Sequence, residues 1–325
     1  MHFRNEWRKH EFLSIWRNLL NESTLPSVSQ RQLPVAWRIP AIAENDVILF
    51  FSYWNHLQNS VRGESRGRLN FLAQITGMDH AARRMLRTGS NAEQLLAIVS
   101  LGYLGEKSDT VALKKILVSN QPIACLHAAR ALLRIDPEAL DELMPLIVQR
   151  NDLPTASIAN VLKETDADTV SPVLALMLRH AFMEEAPPRH MIRLIALTVA
   201  AHPSVVHLSL RMIMERTEDI DVLSACLKVM RSPADLVKIR QYINHPNWRV
   251  RVHAVSALGY MGEESDLEPL IHLLSDPQWW VRYRAAQAIS HLPFVTTGIL
   301  EDIKNRLGDS FAVDMLNQVI SERTS

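Results

Sequence analysis

The 325-residue chain is short of several things that would fix a function class. It has only two cysteines, Cys125 and Cys226, far apart in apolar stretches. They exclude a disulfide framework and a four-ligand zinc site, and leave the redox compartment undecided. Ten glycines in 325 residues are too few for a sandwich or barrel built on tight turns, whereas Leu, Ala and Met abound. Net charge is absent too, because 35 Lys and Arg balance 35 Asp and Glu. No global field therefore steers the chain toward nucleic acid or an anionic membrane. The most apolar run, 47–51, is far below the ~20 residues that span a bilayer, and the opening segment has basic residues but no continuous apolar stretch of a secretory signal. What remains is a helical chain, 47% apolar, with ample material for a core.

Self-similarity supplies the organisation. Residues 97–106 read AIVSLGYLGE and residues 254–263 read AVSALGYMGE. An apolar template at i, i+4, i+7, i+8 and i+11, the stripe of an amphipathic helix, falls on Ala124, Ala128, Ala131, Leu132 and Ile135. It returns on Val250, Ala254, Ala257, Leu258 and Met261, and 31 residues later on Val281, Ala285, Ala288, Ile289 and Leu292. A second helix follows each, marked by DELMPLI (141–147), DTVSPVL (168–174) and SDLEPLI (265–271). Asp or Ser is read there as the cap, with Pro145, Pro172 and Pro269 in or just after the first turn. First helices centred near Ala97, Ala128, Ile158, Ala196, Ala225, Ala254 and Ala285 step by about 30 residues, with one longer step across the EEAPPR loop at 184–189.

These units resemble the HEAT-repeat family in its short bacterial form, on Asp276-Pro277 followed by Val281-Arg282 and on a degenerate copy at His245-Pro246 with Val250-Arg251. The resemblance implies an all-α fold, a right-handed α-solenoid of HEAT-like hairpins, with the valine in the core and the arginine in a ladder between units. It covers roughly 90–308 and implies binding of other macromolecules more than chemistry. The expected organisation is an aromatic-rich N-terminal cap over 1–65, a repeat array over 66–308 and a closing helix over 309–325. Asp309 and Ser310 open that last helix, with Phe311, Met315, Leu316 and Val319 on one side.

Four of the seven tryptophans, Trp7, Trp16, Trp37 and Trp54, crowd the first 54 residues with Phe3, Phe12, Phe50, Phe51 and Tyr53. Two readings stand: a hydrophobic cap on the array, or a partner or membrane-surface contact.

No arrangement supports catalysis, and neither metal nor cofactor is expected. The repeated His-Glu pairs of di-iron HEAT-like hydroxylases are missing, since His10-Glu11 stands alone, and no H-x-x-x-H or C-x-x-C spacing occurs. Gly63-x-x-x-Gly67 lacks the Lys-Ser/Thr of a phosphate loop, and Gly102, Gly105, Gly259 and Gly262 read as helix C-caps. The enzyme alternative is a HEAT-like DNA glycosylase, which needs a positive groove and aromatics beside an extruded base. Against it, five arginines over 240–291 meet five acids, Glu263, Glu264, Asp266, Glu268 and Asp276, so nucleic acid is not the favoured partner.

The candidate partner-binding surface is Trp248, Arg249 and Arg251 with Trp279, Trp280, Arg282 and Arg284, residue types enriched at binding hot spots. Under the 31-residue step, Trp248 superposes on Trp279, Arg251 on Arg282 and His253 on Arg284. For Trp248, Trp279, Arg251 and Arg282 a structural role is the competing reading, with the arginines on Asp276 or a neighbouring acid. Trp280 and Arg284 lie off the core stripe.

WWVRYRAAQAI (279–289), DMLNQV (314–319) and EWRKHEFLSIWRNLL (6–20) also resemble membrane-anchored bacterial HEAT proteins that accompany processive family 2 glycosyltransferases in exopolysaccharide systems. That resemblance implies a scaffold that is cytoplasmic and either peripheral to or anchored at the inner membrane, with the glycosyltransferase as protein partner. Arg4, Arg8, Lys9 and Arg17 would hold it on the cytoplasmic side of an anchor ahead of Met1.

Overall fold

The computed structural model describes residues 2–24 and 39–324, with the side chains of 2–11, 13, 203, 323 and 324 outside that description. Phe3, Arg4, Trp7, Arg8, Lys9, His10, Glu11 and Trp37 thus lie beyond any statement about side chains. Among the described residues the secondary structure is entirely helical, as the periodicity requires. The chain forms two compact units, 1–157 and 158–325.

In the first unit, α1 (His2–Ser23), α2 (Val47–Ser60), α3 (Glu64–Ile75) and α4 (Met78–Thr88) precede α5 (Asn91–Leu104), which carries the first LGY segment. Ser90 and Glu93 open α5 with a capping box, and Gly105 closes it at φ 76°, a left-handed position that favours glycine. α6 (Thr110–Leu117), α7 (Pro122–Ile135), α8 (Leu140–Val148) and α9 (Thr155–Leu162) follow, α9 running across the boundary between the units. Phe12, Trp16, Leu20, Phe50, Phe51 and Trp54 are buried in one cluster that continues into Leu69, Leu72, Ala97 and Leu101. Trp16 meets Phe50 edge-on at 5.4 Å, and the Trp54 indole N–H donates to the Leu69 carbonyl at 2.9 Å. Of the two readings of the N-terminal aromatics, these residues follow the first: they are core, and their faces are spent on one another.

In the second unit, α10 (Ala167–Met183), α11 (Pro188–Leu197), α12 (Pro203–Arg216), α13 (Ile220–Val229), α14 (Leu236–Arg240), α15 (Trp248–Met261), α16 (Leu267–His272), α17 (Trp279–His291), α18 (Thr297–Arg306) and α19 (Ser310–Thr324) succeed one another. The first helices form a layer in chain order, α11 on α13, α13 on α15, α15 on α17 and α17 on α19. The stripes predicted from sequence are buried, including Val250, Ala254, Ala257 and Leu258 on α15 and Val281, Ala285, Ala288 and Ile289 on α17, except at the ends of two of them, where Ile135 and Met261 are half-buried. Sequential helical hairpins of this kind are consistent with an α-solenoid.

Several local expectations are corrected. Asp141, Asp168 and Ser265 are not the caps of their helices, because α8 and α16 are entered through 3-10 turns, 137–139 and 264–266, and Asp166 stands at the N-cap of α10. Pro145 and Pro172 sit at the sixth residue of α8 and of α10. Gly102 and Gly259 are not caps but interior residues of α5 and α15. Phe311 is 70% exposed, whereas Met315, Leu316 and Val319 do bury their side chains.

Candidate partner-binding surface

Five of the seven residues picked out from sequence fall into two groups, and Trp248 and Arg249 stand apart from both. Arg251 is structural: Nε and Nη2 donate to the two Asp276 carboxylate oxygens at 2.8 Å each, and Nη1 donates to the His245 carbonyl at 2.9 Å. With side chains only 12% and 5% exposed, the pair ties one unit to the turn that opens the next. Asp276 also accepts the Gln278 N–H at 2.8 Å, which starts α17. In the preceding unit His245 takes over that role, its Nδ1 accepting the Asn247 N–H at 3.1 Å. Arg282 reaches back to the Asp276 carbonyl at 3.2 Å. The carboxylate it would need 31 residues after Asp276 is Leu307, so the ladder stops there.

Trp279, Trp280 and Arg284 form the second group, joined by Tyr283. The Trp279 and Tyr283 rings stack at 5.3 Å and 6°, and Trp280 stands edge-on to Trp279 at 4.7 Å. The helical spacing 279 to 283 places one ring over the other, and 280 and 284 project beside them. Trp279 is 41% and Trp280 52% exposed, so the cluster offers indole surface to solvent while holding its own geometry. A polar relay supports it from below: Arg284 Nη1 donates to Gln287 Oε1 at 2.6 Å, Gln287 Nε2 to Tyr283 Oη at 3.0 Å, and Tyr283 Oη to Glu322 Oε2 at 2.9 Å. The bond to Glu322 raises the Tyr283 phenol above its ordinary range.

Trp248 is exposed at the start of α15 and makes no ring contact with that cluster among the described residues. Arg249 pairs with Asp221 of α13 at 2.5 Å, half-exposed on both sides.

Sequence reasoning missed a second ladder, on the other helices. Arg83 of α4 donates to Asp109 at 2.8 Å, Arg211 of α12 to Asp235 at 2.7 Å, and Arg240 of α14 to Asp266 at 2.6 and 2.9 Å. Each aspartate is buried at the last residue of a 3-10 turn that leads into a second helix. Burial pushes the Asp266 carboxyl up, but the bonds from Arg240 and from the Glu263 N–H outweigh it and hold the carboxyl below its ordinary value. The signal was legible in the tripeptides KSD (107–109), PAD (233–235) and ESD (264–266) and in the R of HAAR (80–83), LSLR (208–211) and VKIR (237–240).

Among the described residues, no three His, Cys, Asp or Glu side chains come together as a metal site, and no helix is long and apolar enough to cross a membrane. Cys125 and Cys226 are buried. Burial pushes the Cys226 thiol up to about 12.

Residues 234–302 match the family model of HEAT repeats, the stretch that holds α14 to α17 with both the Arg251–Asp276 ladder and the aromatic cluster. No curated protein matches the chain. Over 234–302 the helical chain carries HEAT repeats, whose stacked hairpins suggest protein partners in general.

Proposed function

We propose that the protein is a non-enzymatic scaffold that holds a protein partner against the exposed aromatic and arginine surface at the start of α15 and α17. The observation that carries this reading is the Trp279–Trp280–Tyr283 cluster. Its rings are ordered by one another and by the relay to Glu322, yet two indoles stay about half exposed while the core stripe of the same helix is fully closed. Rigid, part-exposed tryptophans beside arginine are what hot spots are built from. The setting we propose, on the resemblance of WWVRYRAAQAI and EWRKHEFLSIWRNLL, is an accessory subunit of a bacterial exopolysaccharide synthase with a family 2 glycosyltransferase as partner, cytoplasmic and peripheral to or anchored at the inner membrane.

The test is co-purification of the full chain with the candidate glycosyltransferase from cells expressing both. Retention by the wild type and loss with Trp280→Ala, at unchanged melting temperature, supports the surface. Equal retention by Trp280→Ala and Arg284→Ala removes it, and no retention of the enzyme by any form removes the setting.

A further inference from the structure

The charge balance of residues 240–291, zero along the chain, is not zero in space. Of the five acids in that window, Glu263 and Asp266 are taken by Arg240 and Asp276 by Arg251, and Glu268 pairs with Arg306 of α18 at 2.8 Å. All of them lie in turns or on α16. The first helices carry almost none: α15 and α17 contain no carboxylate, and α13 has Asp221 alone. These three helices are consecutive neighbours in one layer. Across them stand Lys228, exposed on α13, Arg249 and His253 on α15, and Arg284 on α17. Asp221 neutralises Arg249, and Glu322 of α19 is held by the Tyr283 hydroxyl, which leaves Lys228, Arg284 and the His253 imidazole as a cationic excess on helices whose one carboxylate is already paired.

We infer that this first-helix face receives an acidic segment of the partner, its carboxylates meeting Lys228, His253 and Arg284 while its apolar side chains lie on Trp279 and Trp280. This rests on the scaffold reading above and adds the chemistry of what is bound. Charge complementarity supports it first. Geometry supports it second: between α15 and α17 lies a small open cleft of about 50 Å³, lined by Ser256, Gly259, Tyr260, Arg284, Gln287 and His291, that can seat one polar group of a bound segment. The hydroxyl, guanidinium and amide there are donors suited to a carboxylate. The cationic surroundings of His253 show in its own titration, since burial first, then Lys228, Arg284 and Arg249, lower its proton affinity below the ordinary histidine value. A peptide fits better than a nucleic acid. The chain as a whole has no net charge to attract a polyanion, and a few cations beside tryptophans match a few carboxylates set among apolar side chains.

The test uses the full chain and three fluorescein-labelled probes: a peptide of about twelve residues alternating Glu with Leu and Phe, its twin with Gln for every Glu, and a single-stranded oligonucleotide of similar length. Direct charge-assisted contacts are each worth about tenfold or more in affinity. Anisotropy should therefore show the Glu peptide binding about tenfold more tightly than its twin. Lys228→Glu and Arg284→Glu should each weaken it by at least that factor. Asp221→Asn, which releases Arg249, should tighten it, a gain that misfolding cannot imitate. The advantage of the Glu peptide should grow as the pH falls through the range, below that of an ordinary histidine, in which His253 takes up a proton, and His253→Gln should flatten that trend. The proposal is overturned by equal binding of the two peptides, by no binding of the Glu peptide up to millimolar concentration, or by unchanged affinity in charge-reversed variants that melt normally. Preference for the oligonucleotide, lost in the same variants, overturns it in favour of a phosphate backbone. Partner capture separates the two levels: loss with Trp280→Ala but not with Arg284→Glu keeps the surface and ends the acidic segment, and loss with neither ends both.

Discussion

Gly259 of α15 and Ala288 of α17 touch backbone to backbone: a Cβ placed on Gly259 would lie 2.8 Å from the Ala288 Cα and 2.9 Å from its Cβ. Gly102 of α5 meets Ala131 of α7 in the same way, at 2.7 and 2.8 Å. The two LGY segments that reveal the repeat are therefore contact points between successive first helices, where only glycine leaves room for the neighbour.

Gly259→Ala should destabilise the second unit although alanine is the better helix former. The propensity gain is about 1 kcal/mol, while forcing a methyl group against backbone costs about 1–3 kcal/mol. Urea unfolding should show a net loss. A stabilised Gly259→Ala protein would mean that α15 and α17 separate freely.

The Asp266 carboxyl is buried and receives two bonds from Arg240, so Asp266→Ala should cost about 2 kcal/mol by removing those charge-assisted bonds, with Glu263 left as the one carboxylate on Arg240. Because the folded protein holds this carboxyl below its unfolded value of about 3.9, the contribution is fully present above that pH and is lost as pH falls through the lower folded value. The difference in urea midpoint between wild type and Asp266→Asn should be large at pH 7 and shrink below about pH 4. A gap that is constant with pH would contradict the ion-pair account.

Val281 is fully buried and Trp280 next to it is 52% exposed. Val281→Asp should unfold its unit by burying an uncompensated charge, whereas Trp280→Ala and Arg284→Ala should move stability by no more than about 0.5 kcal/mol. Calorimetry of the three variants decides it. Trp280→Ala melting as early as a core change would make that indole structural.

Both cysteines should be silent toward a water-soluble thiol reagent in the native protein. The Cys226 thiol is buried and pushed up to about 12. Cys125 is also buried, which raises its thiol too, and its Sγ–H donates to the Leu117 carbonyl at 3.0 Å. At pH 8 both should react only at the rate of unfolding. Prompt reaction of one thiol per chain would reveal local opening of α7 or α13.

The sequence by itself determined the helices, the repeat step and the buried stripes, because amphipathic periodicity is a local property: a residue's place on its own helix states which face must leave water. It also marked Trp280 as lying off the stripe. The assignment of charges needed the tertiary structure. Arg249 and Arg251 are two residues apart, yet one turns back to Asp221 and the other forward to Asp276. Gly102 and Gly259 read as caps until the neighbouring helix was in place, and Trp16, Phe50, Phe51 and Trp54 were as compatible with an exposed contact as with a core until their rings were seen against one another. For the arginines, the glycines and the Trp16–Phe50 contact the deciding partner stands some 25 to 35 residues away along the chain, beyond the reach of any helical period, and is chosen by how successive helices pack.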